Sequence, residues 1–336
     1  MHPATPISFE GDMARALPDE KYAQTVARWN LDGCSLEGGL CRKPLSPPLP
    51  LQINRIHSGD ALQLVPDIPD GSVDLIVCDG PYGTQSHAWD QIPNIQEFNL
   101  RLIRMFSAKL KEGGALYLFG KPDCLDFIDY RPYLTLRSRI VWFQPSRLSQ
   151  GRINYTNNYD IVCYFIKGRR PRAFNLDDIR VPQLVELEHR RRCEKVPSVS
   201  NGKFSKTKFN QKGKNPGNVW GEIKQLTCKS HELIKRMTLN TIQKPEKLIE
   251  RLVKASSLPN DLVLDPFCGT GTCPVVCKRL GRNFIAIESD HDLITAANAR
   301  IERTISHVRT PGKIDFSPTE KPADPCNPSP QLTFAG

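Results

Sequence analysis

Short apolar runs alternate with segments of helical periodicity through most of this chain. Apolar runs predict buried strands at residues 73–78 and 115–120, and residues 96–111 between them carry apolar side chains at helical spacing. Residues 245–257 predict another amphipathic helix, with a proline at its start. Strands that alternate with helices in this way predict an α/β domain around a mostly parallel sheet. Further strands are predicted at residues 53–58, 136–143, 159–168, 260–267 and 283–290, and further helices at residues 272–281 and 292–305.

The basic residues are concentrated in one part of the chain. The net charge of the 336 residues is +10, and residues 167–220 contain 14 Lys and Arg against 5 Asp and Glu. Such an excess favours an acidic partner, first of all nucleic acid, although a solvated surface loop has a similar composition. The side chains expected to contact phosphates are Arg190, Arg191, Arg192, Lys203, Lys206, Lys208, Lys212 and Lys214, and Phe204, Phe209 and Trp220 are interleaved as candidate stacking groups.

Three classes of protein are disfavoured by composition. No apolar run approaches the roughly 18 residues that span a bilayer, and the first twenty residues contain no apolar segment of the secretory type. The eleven cysteines form no CxxC pair and no Cys/His quartet at zinc spacing. We therefore expect reduced, buried thiols, no metal, and a cytoplasmic protein without a membrane partner.

A glycine-rich turn follows one of the predicted strands. In LVLDPFCGTGT (262–272) the strand runs into Asp265, and Gly269 and Gly271 precede the next helix. Glycines let the backbone approach a ligand at the carboxyl end of a strand, where α/β sheets bind ligands. The turn is not GxGxxG, which disfavours a nicotinamide-dependent oxidoreductase. An acidic residue before the turn suits a ligand with a cationic amino-acid end, and Glu288 suits ribose hydroxyls, so the ligand that fits is S-adenosylmethionine.

A second motif, DGPY at residues 79–82, follows another buried strand. Asp79 offers a carboxylate, Gly80 a backbone carbonyl and Tyr82 an aromatic ring, and Pro81 stiffens the turn. An exocyclic amino group on a flat heterocycle needs two acceptors for its N–H groups and a ring to stack on. Together with the glycine turn, this set favours a site for such an amino group over a plain surface turn.

The two motifs resemble those of the amino-methylating DNA methyltransferases, whose catalytic signature is (D/N/S)PP(Y/F) and whose cofactor loop is (D/N)PFxGxGT. DPFCGTGT at residues 265–272 matches every fixed position and follows the catalytic motif by 186 residues. That order, with a basic insert between the two halves, is similar to the β class of the family. KEGGALYLF, NPGNVW and QKPEKLIERLV extend the resemblance over roughly residues 51–305.

The resemblance implies a fold and a division of the chain. The fold is a Rossmann-like, mostly parallel, seven-stranded α/β sheet of the S-adenosylmethionine-dependent methyltransferases, circularly permuted, with an inserted basic DNA-recognition region. The division is into an N-terminal extension (1–50), a catalytic half (51–168), a target-recognition insert (169–235), a cofactor-binding half (236–310) and a disordered tail (311–336).

The resemblance also implies a reaction, in which a methyl group passes from S-adenosylmethionine to N6 of an adenine flipped out of duplex DNA. The implied catalytic residues are Asp79, Gly80, Pro81 and Tyr82. The implied cofactor-binding residues are Asp60, Asp79, Lys244, Asp265, Pro266, Phe267, Cys268, Gly269, Thr270, Gly271, Thr272 and Glu288. The expected partners are double-stranded DNA, a second copy of the chain, and a cognate restriction endonuclease that need not bind the protein.

Two departures from the family pattern leave alternatives open. Family members carry two prolines where this chain has Gly80-Pro81; the acceptor carbonyl is kept, but the chain gains freedom worth about 1 kcal/mol. Asn158-Tyr159-Asp160 stands where members carry a His-Glu pair. The alternatives are a cytosine-N4 methyltransferase, a catalytically inactive DNA-binding regulator of the same fold, and an RNA methyltransferase, for which no RNA-binding module is recognisable.

Overall fold

The computed structural model describes residues 51–84, 90–123, 125–126, 128–145, 155, 157–183, 210–227, 229–234 and 242–305, and the backbone alone of residues 197–200 and 203–206. The segments 1–50 and 311–336 lie outside the described residues. The strands are β1 Arg55–Ser58, β2 Val73–Cys78, β3 Leu110–Gly120, β4 Thr135–Phe143, β5 Tyr159–Ile166, β6 Pro197–Ser200, β7 Lys203–Lys206, β8 Val219–Trp220, β9 Leu262–Asp265 and β10 Asn283–Glu288. The helices are α1 Ala61–Leu64, α2 Ile95–Lys109, α3 Leu176–Ile179, α4 Glu246–Ser256, α5 Thr272–Leu280 and α6 His291–Arg303, and a 3₁₀ turn spans Val65–Asp67.

Eight strands form one sheet in the order β1-β10-β9-β2-β3-β5-β4-β8. All neighbours are parallel except β5, which is antiparallel to β3 and to β4. The expected α/β fold with a mostly parallel sheet is confirmed. The sheet has one strand more than the expected seven, because the two-residue strand β8 pairs with β4 at the edge, and so short a strand has no apolar run to predict it.

The side chains of the central strand alternate between two helical layers. Leu75 and Val77 of β2 belong to the cluster that contains Leu248 and Leu252 of α4, whereas Ile76 packs on the α2 side with Phe98 and Leu102. Burial on both faces explains why β2 is apolar at nearly every position. In the part of the chain that the structure describes, no helix is both long and apolar enough to cross a membrane.

The boundary between α2 and β3 differs from the prediction. The helix ends at Lys109 and β3 begins at once with Leu110, five residues before the predicted strand. Val73 pairs with Leu110, but Leu75 pairs with Ala115, so a bulge accommodates the residues between them. Gly113 has a φ of 75°, a conformation that suits glycine and that a strand pattern does not announce.

A buried carboxylate in β2 joins distant parts of the chain. Asp74 is 3% exposed, and its Oδ2 accepts a hydrogen bond from the Leu262 backbone N–H at 2.9 Å. The ammonium of Lys111 lies 2.9 Å from both oxygens, and the guanidinium of Arg172 lies 3.1 Å from Oδ1. The carboxylate therefore ties the amino end of β9 to β2 and to the segment after β5.

We predict that Asp74→Ala lowers the free energy of unfolding by about 3 kcal/mol, because it leaves a buried N–H and two cations without their partner. Urea denaturation measures the change. Asp70→Ala is the matched control: Asp70 pairs with Lys109 at 2.7 Å but its side chain is 71% exposed, so its loss should cost under about 1 kcal/mol. Equal losses in the two variants would refute the proposed tie.

Candidate active site

Two strands that are distant in sequence bring the predicted motifs together. β2 and β9 are adjacent and parallel, with Leu75 opposite Val263 and Ile76 opposite Leu264. The carboxyl ends of both strands thus meet at one edge of the sheet, where a cavity of about 360 Å³ opens. The predicted site residues that line it are Asp79, Gly80, Tyr82, Lys244, Asp265, Phe267, Cys268, Gly269, Thr270 and Thr272.

The two motifs also touch each other. A Cβ atom on Gly80 would lie 3.2 Å from two ring carbons of Phe267. Glycine at this position therefore leaves room for the Phe267 ring against the catalytic turn, and a larger residue there would require that ring to move. Phe98 of α2, whose ring centroid is 6.5 Å away, packs near the same ring. The catalytic turn and the cofactor loop thus form one packed unit.

Asp79 uses both carboxylate oxygens in the ligand-free protein. Oδ1 accepts a hydrogen bond from the Tyr82 hydroxyl at 2.8 Å, and Oδ2 lies 2.6 Å from the ammonium of Lys244. The Lys244 side chain is 8% exposed, and its ammonium also lies 5.3 Å from the centroid of the Tyr82 ring. The catalytic turn is therefore coupled to the segment just before α4 through one buried ion pair.

The Asp265 carboxyl is buried at the end of β9. Burial raises the pKa of this carboxyl well above its usual range, and the negative charges of Asp79 and Glu288 raise it further. Its Oδ1 accepts a weak hydrogen bond from the Phe267 backbone N–H at 3.3 Å. A cation entering the cavity would favour the ionised form, so the site is electrostatically suited to a positively charged ligand.

The glycine loop is held from behind by α6. Gly271 has a φ of 77°, and a Cβ atom on it would lie 2.7 Å from the Cβ of Ala297, so only glycine allows this approach. Arg300 is 9% exposed and donates to the Thr270 carbonyl at 2.8 Å and to the Thr272 hydroxyl at 3.2 Å. This guanidinium fixes the loop without reaching the cavity, and the sequence motif gave no indication of it.

Asp60 and Glu288 lie at the same sheet edge, but they are not among the described residues that line the cavity. Ser58 of β1 pairs with Glu288 of β10, which makes the two acidic residues neighbours across the strands. Asp60 accepts the Leu62 N–H at 2.9 Å as the N-cap of α1, and Glu288 Oε2 accepts the Gly269 N–H at 2.8 Å. Both carboxylates thus shape the loops of this edge. Pro81, Pro266 and Gly271 support the cavity from neighbouring chain positions rather than lining it.

Comparison with known proteins identifies the family. A family model described as DNA methylase matches residues 73–299, which is more than half of the chain. The chain belongs to the DNA methylase family. The resemblance inferred from the two motifs is confirmed, and the protein is an enzyme that methylates DNA.

Among its relatives is the type II methyltransferase M1.MboII of Moraxella bovis, 31% identical over 258 residues that cover 74% of this chain and 96% of the relative. The DNA adenine methyltransferase YhdJ of Escherichia coli (strain K12) is 32% identical over 255 residues, covering 74% of this chain and 82% of the relative.

Solved structures share the fold. A DNA modification methylase from Thermus thermophilus, complexed with S-adenosyl-L-methionine, has a TM-score of 0.51 at 21% identity, covering 76% of this chain and 95% of that one. The PvuII DNA methyltransferase, which is cytosine-N4-specific, has a TM-score of 0.51 at 18% identity, covering 73% and 85%.

Sequence reasoning missed a second charged group in the methylase cavity. Asp160 of β5 is 3% exposed, lies 3.2 Å from the Lys121 ammonium and accepts a hydrogen bond from the Gln144 amide at 3.0 Å. The Lys121 ammonium also lies 5.7 Å from the centroid of the Tyr82 ring. Asp160 stands in the segment where the family carries His-Glu, so that departure from the pattern was the available indication.

The thiols at the methylase cavity are poor nucleophiles. Burial raises the pKa of the Cys78 thiol and of the Cys268 thiol well above their usual range, and the charge of Asp265 raises both further. Both thiols therefore stay protonated at neutral pH. The expectation of reduced, buried thiols is confirmed for the five described cysteines, which also include Cys163, Cys273 and Cys277.

Only part of the predicted DNA-binding set can be placed on this methylase. Lys212 is exposed and its ammonium lies 2.6 Å from Asp177, while the backbone of Lys214 bridges to Val181. Arg190, Arg191, Arg192 and Lys208 lie outside the described residues, as does Phe209, and for Lys203, Phe204 and Lys206 only the backbone of β6 and β7 is described.

The prediction that Trp220 serves as a stacking group for nucleic acid is wrong. The residue is 4% exposed, pairs with Trp142 across β4 and β8, and has the Arg251 guanidinium 4.7 Å from its ring centroid. Its ring closes the edge of the hydrophobic core, so it cannot reach DNA. An aromatic residue among basic ones looks the same in sequence whether it packs inward or outward.

We predict that Asp265→Asn stabilises the ligand-free protein, and increasingly so as pH rises. A carboxyl whose pKa is raised by folding contributes stability that is lost as pH rises from the unfolded value near 4 towards the folded value. Asparagine keeps an acceptor oxygen and never ionises, so it avoids this loss. Denaturant unfolding at about pH 5 and about pH 8 measures the difference from wild type; a difference that does not grow with pH contradicts the assignment. Asp129→Asn, at an exposed site, is the control.

Proposed function

We propose that this methylase transfers a methyl group from S-adenosylmethionine to the N6 atom of an adenine flipped out of duplex DNA. The observation that carries the proposal is the single cavity lined both by Asp79, Gly80 and Tyr82 and by the loop that begins at Asp265. Methyl transfer to an amine needs donor and acceptor in one enclosed site, in line and without a protein nucleophile. The protonated thiols beside the cavity agree with such a direct transfer.

The cofactor loop fits S-adenosylmethionine in shape and in charge. Gly271 and the loop around it let the backbone approach a ligand, and Asp265 places a buried carboxylate where a cationic ligand is favoured. When bound, this cofactor supplies an activated methyl group on a sulfonium. We assign Asp265 to the cationic amino-acid end, Glu288 to the ribose and Asp60 to the adenine, with residues 266–272 as the backbone cradle.

The catalytic turn supplies two acceptors and a ring for the target base. The Asp79 carboxylate and the Gly80 carbonyl each accept one N–H of the exocyclic amine, and they stabilise the positive charge that develops on nitrogen. Tyr82 stacks on the flipped base. Pro81 fixes φ within the turn and keeps the carbonyl before it oriented.

Lys244 must change partners for this grip to form. Both Asp79 oxygens are engaged in the ligand-free protein, one by Tyr82 and one by Lys244. A cofactor that carries its own carboxylate offers Lys244 an alternative anion, and its release leaves Asp79 Oδ2 available to the target amine. Cofactor binding would then prepare the carboxylate before the base arrives.

A specific observation keeps cytosine N4 as the second candidate. The cytosine-N4-specific PvuII enzyme shares this fold, whereas the relative YhdJ is an adenine methyltransferase. Aspartate at the first motif position favours adenine in the family pattern. We expect tritium from labelled S-adenosylmethionine to appear in N6-methyladenine when methylated duplex DNA is digested to nucleosides and chromatographed. Label in N4-methylcytosine would instead establish the second candidate, and no label would leave only a non-catalytic role.

The target-recognition insert at residues 169–235 supplies phosphate contacts and base readout in this proposal, between the catalytic half (51–168) and the cofactor half (236–310). The type II relatives agree with a cognate restriction endonuclease that reads the same sequence without binding this protein. A second copy of the chain is the other proposed partner.

We predict that Asp79→Ala lowers the single-turnover rate of methyl transfer about a hundredfold or more, because it removes a preorganised acceptor from the transition state. Tyr82→Ala should mainly weaken binding of the flipped base, by about 1–3 kcal/mol of stacking. Rapid quench with labelled cofactor measures the rate, and fluorescence of a base analogue at the target position measures flipping. Asp70→Ala, far from the cavity, is the control. A wild-type rate in Asp79→Ala removes the catalytic assignment.

We predict that Lys212→Glu weakens DNA binding and lowers the slope of log affinity against log salt by about one unit for each phosphate that the protein no longer neutralises. The wild-type lysine is exposed and can leave Asp177 for a phosphate. Arg131→Glu, the same charge reversal at an 82% exposed residue outside the insert, is the control and should leave the slope as it is. Equal slopes for Lys212→Glu and wild type would mean that this lysine only solvates the surface.

A further inference from the structure

Asp90 is a buried carboxylate beside the catalytic turn. Its residue is 2% exposed and it lines the same cavity as Asp79. Oδ1 accepts the backbone N–H of Tyr82 at 2.6 Å and that of Gly83 at 2.8 Å. Oδ2 accepts the backbone N–H of Thr84 at 2.8 Å and the Thr84 hydroxyl. One carboxylate therefore holds three consecutive N–H groups of the segment that contains the catalytic tyrosine.

The bonds to Asp90 constrain the Gly80 carbonyl through the backbone. The Tyr82 N–H belongs to the peptide plane that follows Pro81, so Asp90 fixes that plane. The ring of Pro81 locks its φ angle, which leaves the ψ angle of Pro81 as the one soft dihedral between the fixed plane and the Gly80 carbonyl. On the other side, Cys78 is held in β2 by its pairing with Leu118.

This constraint replaces stiffness that the turn lacks. Glycine at position 80 gives the backbone more freedom than the proline of the family pattern. A carboxylate that accepts several N–H groups makes charge-assisted bonds, roughly twice as strong as neutral ones. Because Asp90 is buried, water competes little for these bonds. The turn is thus stiffened from its far end rather than at residue 80.

We propose that Asp90 is a positioning residue for methyl transfer, which acts through the backbone to hold the Gly80 carbonyl at the angle where it accepts the target amine. The inference rests on the proposed function of Gly80. Asp90 itself bonds only to the turn, so it would affect the rate of transfer and not the affinity for the cofactor. A residue that merely stabilises the fold would instead weaken binding and folding together.

Asp90→Asn tests the proposal. The variant keeps Oδ1 but places an amide NH₂ group opposite the Thr84 N–H, so the far end of the turn is released. We expect the single-turnover rate to fall about tenfold to a hundredfold, since small misplacements of reacting groups have effects of that size. Calorimetric affinity for S-adenosylmethionine and filter-binding affinity for duplex DNA should stay within about twofold. Asp70→Asn, at an exposed aspartate, is the matched control.

A double-mutant cycle with Asp79→Ala identifies where Asp90 acts. If both residues serve one grip on one amino group, their rate losses do not multiply, as for groups that act as a unit. Independent, fully multiplying losses overturn the proposal, as does a wild-type rate in Asp90→Asn or an equal loss of cofactor affinity. If Asp90→Asn does not fold, Thr84→Val removes only the hydroxyl donor, and its rate should fall several-fold with unchanged binding; an unchanged rate there also overturns the proposal.

The two proposals fail in different ways. A wild-type protein that labels no nucleoside, or Asp79→Ala with the wild-type rate, refutes the proposed function itself. If wild type methylates, Asp79→Ala is slow and Asp90→Asn is as fast as wild type, only the positioning role of Asp90 is refuted.

Discussion

The pairing of β2 with β9 is the constraint on which the rest of the structure depends. These strands are separated by most of the chain, yet Ile76 lies opposite Leu264 in parallel register. That register places Asp79 and Asp265 at one edge, each at the start of a glycine-containing turn. A shift of one residue would turn the apolar side chains of β9 from one helical layer to the other. The buried bond from Leu262 to Asp74 helps to fix this register at the opposite end.

Bringing the two turns together concentrates negative charge. Asp79, Asp265 and Glu288 act on one another electrostatically, and the raised pKa of Asp265 is the consequence. Lys244 offsets part of this charge through its 2.6 Å contact with Asp79. The ligand-free protein therefore holds its catalytic carboxylate in an internal ion pair, and a buried acid that is costly to ionise awaits a cation. Stability is given up at this edge of the sheet in return for a site that suits a cationic cofactor.

The sequence predicts those parts of the fold and site that leave a local pattern. The strands, the main helices, Asp79 and Asp265 were all predictable, because an apolar run followed by a turn marks the carboxyl end of a buried strand. Asp90 and Arg300 were not, since each is a single polar residue whose role depends on a tertiary approach to a loop elsewhere. Trp220 was misassigned for a similar reason: its neighbours in sequence are basic, but its neighbours in space are Trp142 and Arg251.

The most direct test of the account is a structure of the protein with S-adenosylhomocysteine and a duplex that contains its methylation site. The account predicts that the Lys244 ammonium has left Asp79, and that the target amino nitrogen lies within hydrogen-bond distance of the Asp79 carboxylate and the Gly80 carbonyl. A ternary complex in which the Asp79–Lys244 pair persists while the flipped base is bound elsewhere would contradict it.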